Sequence, residues 1–107
     1  MAYVDYRKHK NKEFREERYG KINSDLFELI RSYGCCRCGA RSRIHMHHVR
    51  SRGAIGQVDT ENIVPLCFKC HSEIHTCGRT TFQLRTGLNL VSIAKELWRL
   101  AVMEMVG

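Results

Sequence analysis

No apolar run in this chain is long enough to span a bilayer. A transmembrane helix is therefore excluded, and no membrane partner is expected. The opening stretch, MAYVDYRKHKNKEF, has no hydrophobic signal core, so an intracellular, cytoplasmic protein is expected. Internal repeats and low-complexity segments are also lacking. At 107 residues the chain is read as one small domain, 1–107. Acidic residues are missing from one long stretch. None lies between Glu28 and Asp59, where six arginines stand: Arg31, Arg37, Arg41, Arg43, Arg50 and Arg52. The whole chain carries a formal net charge of +7. That balance implies an anionic partner, with nucleic acid the first choice.

Against these absences stands a dense cluster between Cys35 and His75. It holds five of the six cysteines and five of the six histidines. In a reducing compartment, paired cysteines read as metal ligands rather than disulfides. Two Cys-x-x-Cys pairs, Cys35/Cys38 and Cys67/Cys70, are separated by 28 residues. Zinc favours four thiolates in a tetrahedron for a structural site, and these pairs can supply it. Cys36 is an alternative to Cys35, although the two-residue spacer suits a knuckle better. Cys77 reads as a buried or idle thiol. A metal staple adds useful stability to a core of this size.

The histidines are also patterned. His47 and His48 form a dyad, while His71 and His75 stand four apart and share a helix face. Neutral imidazole binds divalent transition metals well. If the paired cysteines hold zinc, three of these four histidines can hold a second ion. Its remaining positions would be open to water and substrate, with the fourth histidine left to move a proton.

Organisation along the chain follows from spacing and turn residues. Residues 1–22 form a basic N-terminal arm, either contacting phosphates or serving as a solvated lead-in. A helix is predicted over 23–34, capped by Asn23 or Ser24, with Leu26, Phe27, Leu29, Ile30 and Tyr33 inward and Gly34 ending it. Arg43 to Val49 reads as a strand, with His45, His47 and Val49 on one face and Ile44, Met46 and His48 on the other. His47 and His48 then need a bulge to serve one site, or must reach it from different sides. Arg50 to Asn62 reads as a loop. Ile63 to Leu66 is a short strand with Pro65 at its end or edge. A helix opens at Cys70, and residues 76–88 are a connector. A C-terminal helix over 89–106 is capped by Asn89, with Leu90, Ile93, Ala94, Leu97, Leu100, Ala101 and Met105 inward.

The pattern His47-His48, then Asn62, then Cys67-x-x-Cys70-His71 resembles the HNH endonucleases. The resemblance covers about residues 35–82, and the four-cysteine frame is similar to that of small phage and bacterial members. It implies an α+β fold: a ββα-metal (His-Me finger) core with paired zinc knuckles, flanked by an N-terminal and a C-terminal helix. It further implies a DNA phosphodiester hydrolase that leaves a 5′ phosphate. By the same resemblance His48 is the general base and Asn62 orients it. His47 and His71 ligate the catalytic metal, and His75 matches an extra metal histidine found in some members. The expected cofactors are structural Zn2+ on Cys35, Cys38, Cys67 and Cys70, and a catalytic Mg2+, Mn2+, Ni2+ or Zn2+. Many members carry aspartate where His47 stands, which leaves the identity of the second metal open. Arg37, Arg41, Arg43, Arg50 and Arg52 are expected to grip DNA phosphates, which positions a duplex without reading its sequence. Specificity in so small a domain calls for a homodimer or another protein partner. A bacterial cell or phage-infected host is implied.

Two other readings deserve comparison. A non-catalytic zinc-stabilised nucleic-acid-binding module would use the same knot and arginines without a second metal site. A zinc nucleobase deaminase would explain Pro65-Leu66-Cys67-Phe68-Lys69-Cys70. That chemistry also needs a His-x-Glu pair, and no histidine upstream of Cys67 has a glutamate two residues on.

Overall fold

A computed structural model describes residues 23–50 and 59–106. The basic arm over 1–22 lies outside these residues, as do Arg52, Gly53 and Gly56.

Helix α1 covers residues 23–32, so Asn23 and Ser24 are already helical rather than capping. Its apolar face buries Leu26, Phe27 and Ile30 as expected. The helix ends two residues short of the predicted boundary. Gly34 then turns the chain with φ +86°, and a Cβ there would stand 3.0 Å from the Ala40 carbonyl oxygen. This is a left-handed, crowded position that suits glycine alone. The Cys35 N–H donates to Ala40 O at 2.8 Å and the Gly39 N–H to Cys35 O at 2.9 Å, closing the knuckle. Arg43, at φ 56°, redirects the chain into the sheet.

Strands β1 (Ile44–His48) and β2 (Ile63–Cys67) form an antiparallel two-stranded sheet. Their register sets His45 opposite Leu66, His47 opposite Val64 and His48 opposite Ile63. Alternation buries Ile44 and Met46 on one face and leaves His45 and His47 half-buried on the other. Pro65 sits mid-strand opposite Met46, not at the strand's end. It is tolerated because its carbonyl points away from β1 and accepts the Cys36 N–H at 2.9 Å. Its missing N–H would have faced that same outer edge, so no ladder bond is lost. The bond also docks the first cysteine knuckle onto β2.

β2 runs straight into α2 (Phe68–Cys77), with Cys67 as the N-cap residue. This helix starts two residues before the predicted Cys70, because the strand needs no loop to leave the sheet. The expected connector over 76–88 is mostly a helix, α3 (Arg79–Thr86), bounded by Gly78 and Gly87. Its single buried residue is Phe82, too little apolar signal to reveal a period. α4 (Leu90–Val106) begins where predicted, and the Asn89 side chain accepts the Ser92 N–H at 3.1 Å. It packs against a 3-10 turn (Asp59–Asn62) and β2. Leu90, Ala94 and Ala101 are buried. Leu100 and Met105, assigned inward by periodicity, are exposed. Trp98 packs against the core.

No helix of the described residues is long and apolar enough to cross a membrane. Phe82 is 0% exposed while Leu84 of the same helix is 81% exposed. In the zinc-loaded protein, Phe82→Ala is therefore expected to cost about 3–5 kcal/mol. Leu84→Ala should change stability by less than about 0.5 kcal/mol. Denaturant melts of the two variants check the packing of α3.

Candidate metal centres

The first centre joins the knuckle after α1 to the start of α2. Cys35, Cys38, Cys67 and Cys70 each offer a sulfur, and the sulfurs all lie within 4.8 Å of one another. Cys38 Sγ and Cys67 Sγ are 3.6 Å apart, and no cysteine of the chain is in a disulfide. Cys35 rather than Cys36 belongs to the group. Burial, followed by the neighbouring Cys35 charge, pushes the Cys36 thiol up to about 12. Burial also works against a Cys35 thiolate, yet hydrogen bonds from the backbone at Cys67, Cys38 and Arg37 outweigh it and bring Cys35 down to about 7. Cys70 is pushed by burial up to about 12, although its bond from Arg37 pulls the other way. Four sulfurs so placed fit a zinc site, since a dication stabilises the thiolate form of all of them.

Arg37 attends this cluster. Its Nη1 lies 3.5 Å from Cys70 Sγ and 2.8 Å from Glu73 Oε1. Its guanidinium also stands 5.6 Å from the Phe82 ring centre. Arg85 approaches the same carboxylate at 3.6 Å. The fold thus engages Arg37, which had been expected to grip phosphate.

The second centre lies on the other side of α2. His47 of β1 and His71 and His75 of α2 place one nitrogen each within 4.8 Å of the others. His71 Nε2 and His75 Nε2 are 2.9 Å apart. Burial, then the charges that His71 and His75 would carry, lowers His47 to about 3. Burial, then His75 and His45, lowers His71 to about 4. Both imidazoles are therefore neutral near pH 7 and have a lone pair for a cation. No carboxylate joins them among the described residues.

β1 is regular through His48, without a bulge. His47 and His48 thus leave opposite faces, and His48 lies outside the three-histidine group. Its Nε2 is enclosed by protein. Asn62 grips the backbone just beyond it. Its Oδ1 accepts the Arg50 N–H at 3.0 Å, and its Nδ2 donates to Arg50 O at 2.9 Å. The Val49 N–H adds a bond to Asn62 O at 2.9 Å.

Residues 35–77 match the family model described as HNH endonuclease. This segment is an HNH domain. The match spans both metal-ligand clusters, the sheet and all of α2. No curated protein and no solved structure matches the chain significantly.

The arginines around the HNH domain divide by what they touch. Arg41 donates to Ser32 O at 3.2 Å. Arg43 lies 4.7 Å from the Phe68 ring centre, and Arg50 is exposed beyond His48. Two site residues escaped the sequence reading. Arg79 of α3 donates to Val49 O at 3.0 Å and adds a positive charge near His47. His45 Nδ1 stands 3.1 Å from His71 Nδ1. The His-x-His spacing with His47 was a usable signal for His45, whereas nothing near Arg79 in the sequence marks it.

The lowered histidine pKa values fix a sign for the pH dependence. The unfolded histidines protonate near pH ~6.5, but His47 and His71 in the fold resist until about 3 and 4. Between those values the unfolded chain binds more protons, so stability is lost as pH falls from about 6.5 toward 4. Thermal melts across this range should show the loss with the histidine centre free of metal. The combined His47→Gln and His71→Gln variant should show a shallower slope, and the difference between the slopes isolates the histidines from the thiols.

Proposed function

We propose that this protein is a metal-dependent endonuclease that hydrolyses DNA phosphodiester bonds. The observation carrying this reading is the convergence of three histidine nitrogens within 4.8 Å inside an HNH domain. They lie beside a strand end that Asn62 holds from both backbone groups of Arg50. His47, His71 and His75 are the ligands. A divalent cation bound there would supply positive charge to the scissile phosphate and to the leaving 3′ oxygen. Three imidazoles without a carboxylate suit Ni2+ or Zn2+ better than Mg2+ or Mn2+.

His48 is the general base. Because Nε2 is enclosed, removal of a proton from the attacking water falls to Nδ1. An imidazole of near-neutral pKa contributes about 10²–10⁴-fold in such a role. Asn62 holds the backbone that follows His48 and so limits how far the ring can drift from its water. Product chemistry then leaves a 5′ phosphate. Arg43, Arg50 and Arg52 supply phosphate contacts. Arg41 and Arg37 contribute through their charge. A structural Zn2+ on the four cysteines holds the frame. Site selection would come from a second copy of the chain or another protein, because phosphate contacts carry no base identity.

The decisive assay is supercoiled plasmid with Mg2+, Mn2+, Ni2+ or Zn2+, run beside His48→Ala and an EDTA control. Wild type should nick or linearise the plasmid, and both controls should abolish this. A bound but intact plasmid with every metal would favour the non-catalytic binding module. Arg43→Ala and Arg50→Ala are each expected to weaken DNA binding about equally across sequences. Each should also reduce the salt slope of log K by about 1, readable by anisotropy titration at several salt concentrations.

A further inference from the structure

His45 sits on the same face of β1 as His47 but is not one of the three clustered ligands. Its Nδ1 is 3.1 Å from His71 Nδ1, while the opposite nitrogen of His71, Nε2, is 2.9 Å from His75 Nε2. The two nitrogens of His71 therefore face different partners. A neutral imidazole has one N–H and one lone pair. If Nε2 offers its lone pair within the His47, His71 and His75 group, the proton must be on Nδ1. That N–H then points at His45 Nδ1, which must be the acceptor, and His45 keeps its own proton on Nε2.

We propose that His45 is a positioning residue for the histidine centre: it accepts the Nδ1–H of His71 and fixes the tautomer and ring orientation in which His71 presents Nε2 to a cation. This rests on the metal-site reading above. Metal-bound histidines commonly donate their second N–H to a carboxylate, a carbonyl or water. Here another imidazole accepts that N–H, which adds no negative charge to the centre. The His45 ring is itself held edge-on to Phe68, 6.0 Å between centres, and Phe68 carries the Arg43 guanidinium at 4.7 Å. Packing thus sets the acceptor before any ion arrives.

Two substitutions separate the hydrogen bond from the packing. His45→Asn keeps an acceptor near the place of Nδ1 but loses the ring. His45→Phe keeps the ring against Phe68 but loses the acceptor. Ni2+ is titrated calorimetrically into zinc-loaded full-length protein, with His71→Ala as a site control and thermal melts to verify folding. Wild type should bind Ni2+ outside the zinc knot, and His71→Ala should not. His45→Asn should bind within about threefold of wild type, and His45→Phe should bind about 10–100-fold more weakly. Equal affinity of His45→Phe and wild type overturns the inference alone, as does equal loss in both variants. No Ni2+ binding by wild type overturns the metal-site reading and this inference with it. Imidazole 15N NMR gives a readout independent of how the variants fold. Metal-bound wild type should show His71 as the Nδ1–H tautomer, and the Nε2–H tautomer would overturn the assignment.

Discussion

Four sulfurs within 4.8 Å of one another cannot all be thiolates unless a cation sits among them, and the rest of the structure depends on that constraint. The knuckle at Cys35 and Cys38 and the junction at Cys67 and Cys70 are far apart in sequence. Bringing them together fixes α1 against the sheet and sets where α2 begins. The Cys36 N–H to Pro65 O bond, 2.9 Å, reinforces the same contact from the backbone. Arg37 links the cluster to Glu73, and Glu73 reaches Arg85 of α3. One cation site would thus tie four segments, consistent with the modest core of a chain this short.

The direct passage from β2 into α2 at Cys67 has a second effect. With no loop between strand and helix, the cysteines of the first turn and the histidines further on share one rigid rod. Cys70 is buried on one side, while His71 and His75 turn toward β1. Strand register then brings His45 and His47 over that side of the helix. The histidine centre therefore inherits its geometry from the cysteine centre, and its three ligands stand on β1 and α2 rather than on a loop. Rigid placement of this kind is what a ligand set needs if its angles are to hold before a cation binds.

Electrostatics separates the two centres. The chain is basic, with a net charge of +7, and Arg79 lies near His47. Burial and positive neighbours keep His47 and His71 neutral, so no proton competes for their lone pairs near neutral pH. At the cysteines, backbone hydrogen bonds oppose burial most effectively at Cys35, the thiol lowered to about 7. The same basic field that disfavours imidazolium favours the approach of a polyanion.

Much of this was legible in the residues alone. The two Cys-x-x-Cys pairs, the His47-His48 dyad and the i, i+4 histidines state a ligand inventory, because metal chemistry restricts residue type and short-range spacing. Alternation along β1 separated His45 and His47 from Ile44, Met46 and His48, since strand period is local. α3 was not legible: its sole buried residue, Phe82, is stabilised by distant partners rather than by a repeating face. The exposure of Leu100 was likewise hidden, because helical period says which residues share a stripe but not how wide the covering surface is. The place of Arg37 between Cys70 and Glu73 was hidden too, and the link from His45 to His71 spans 26 positions. Local chemistry in the sequence determined which atoms could bind metal. Only the tertiary structure decided which nitrogens and charges meet, because strand register and the β2–α2 junction are set by packing between segments that no local pattern connects.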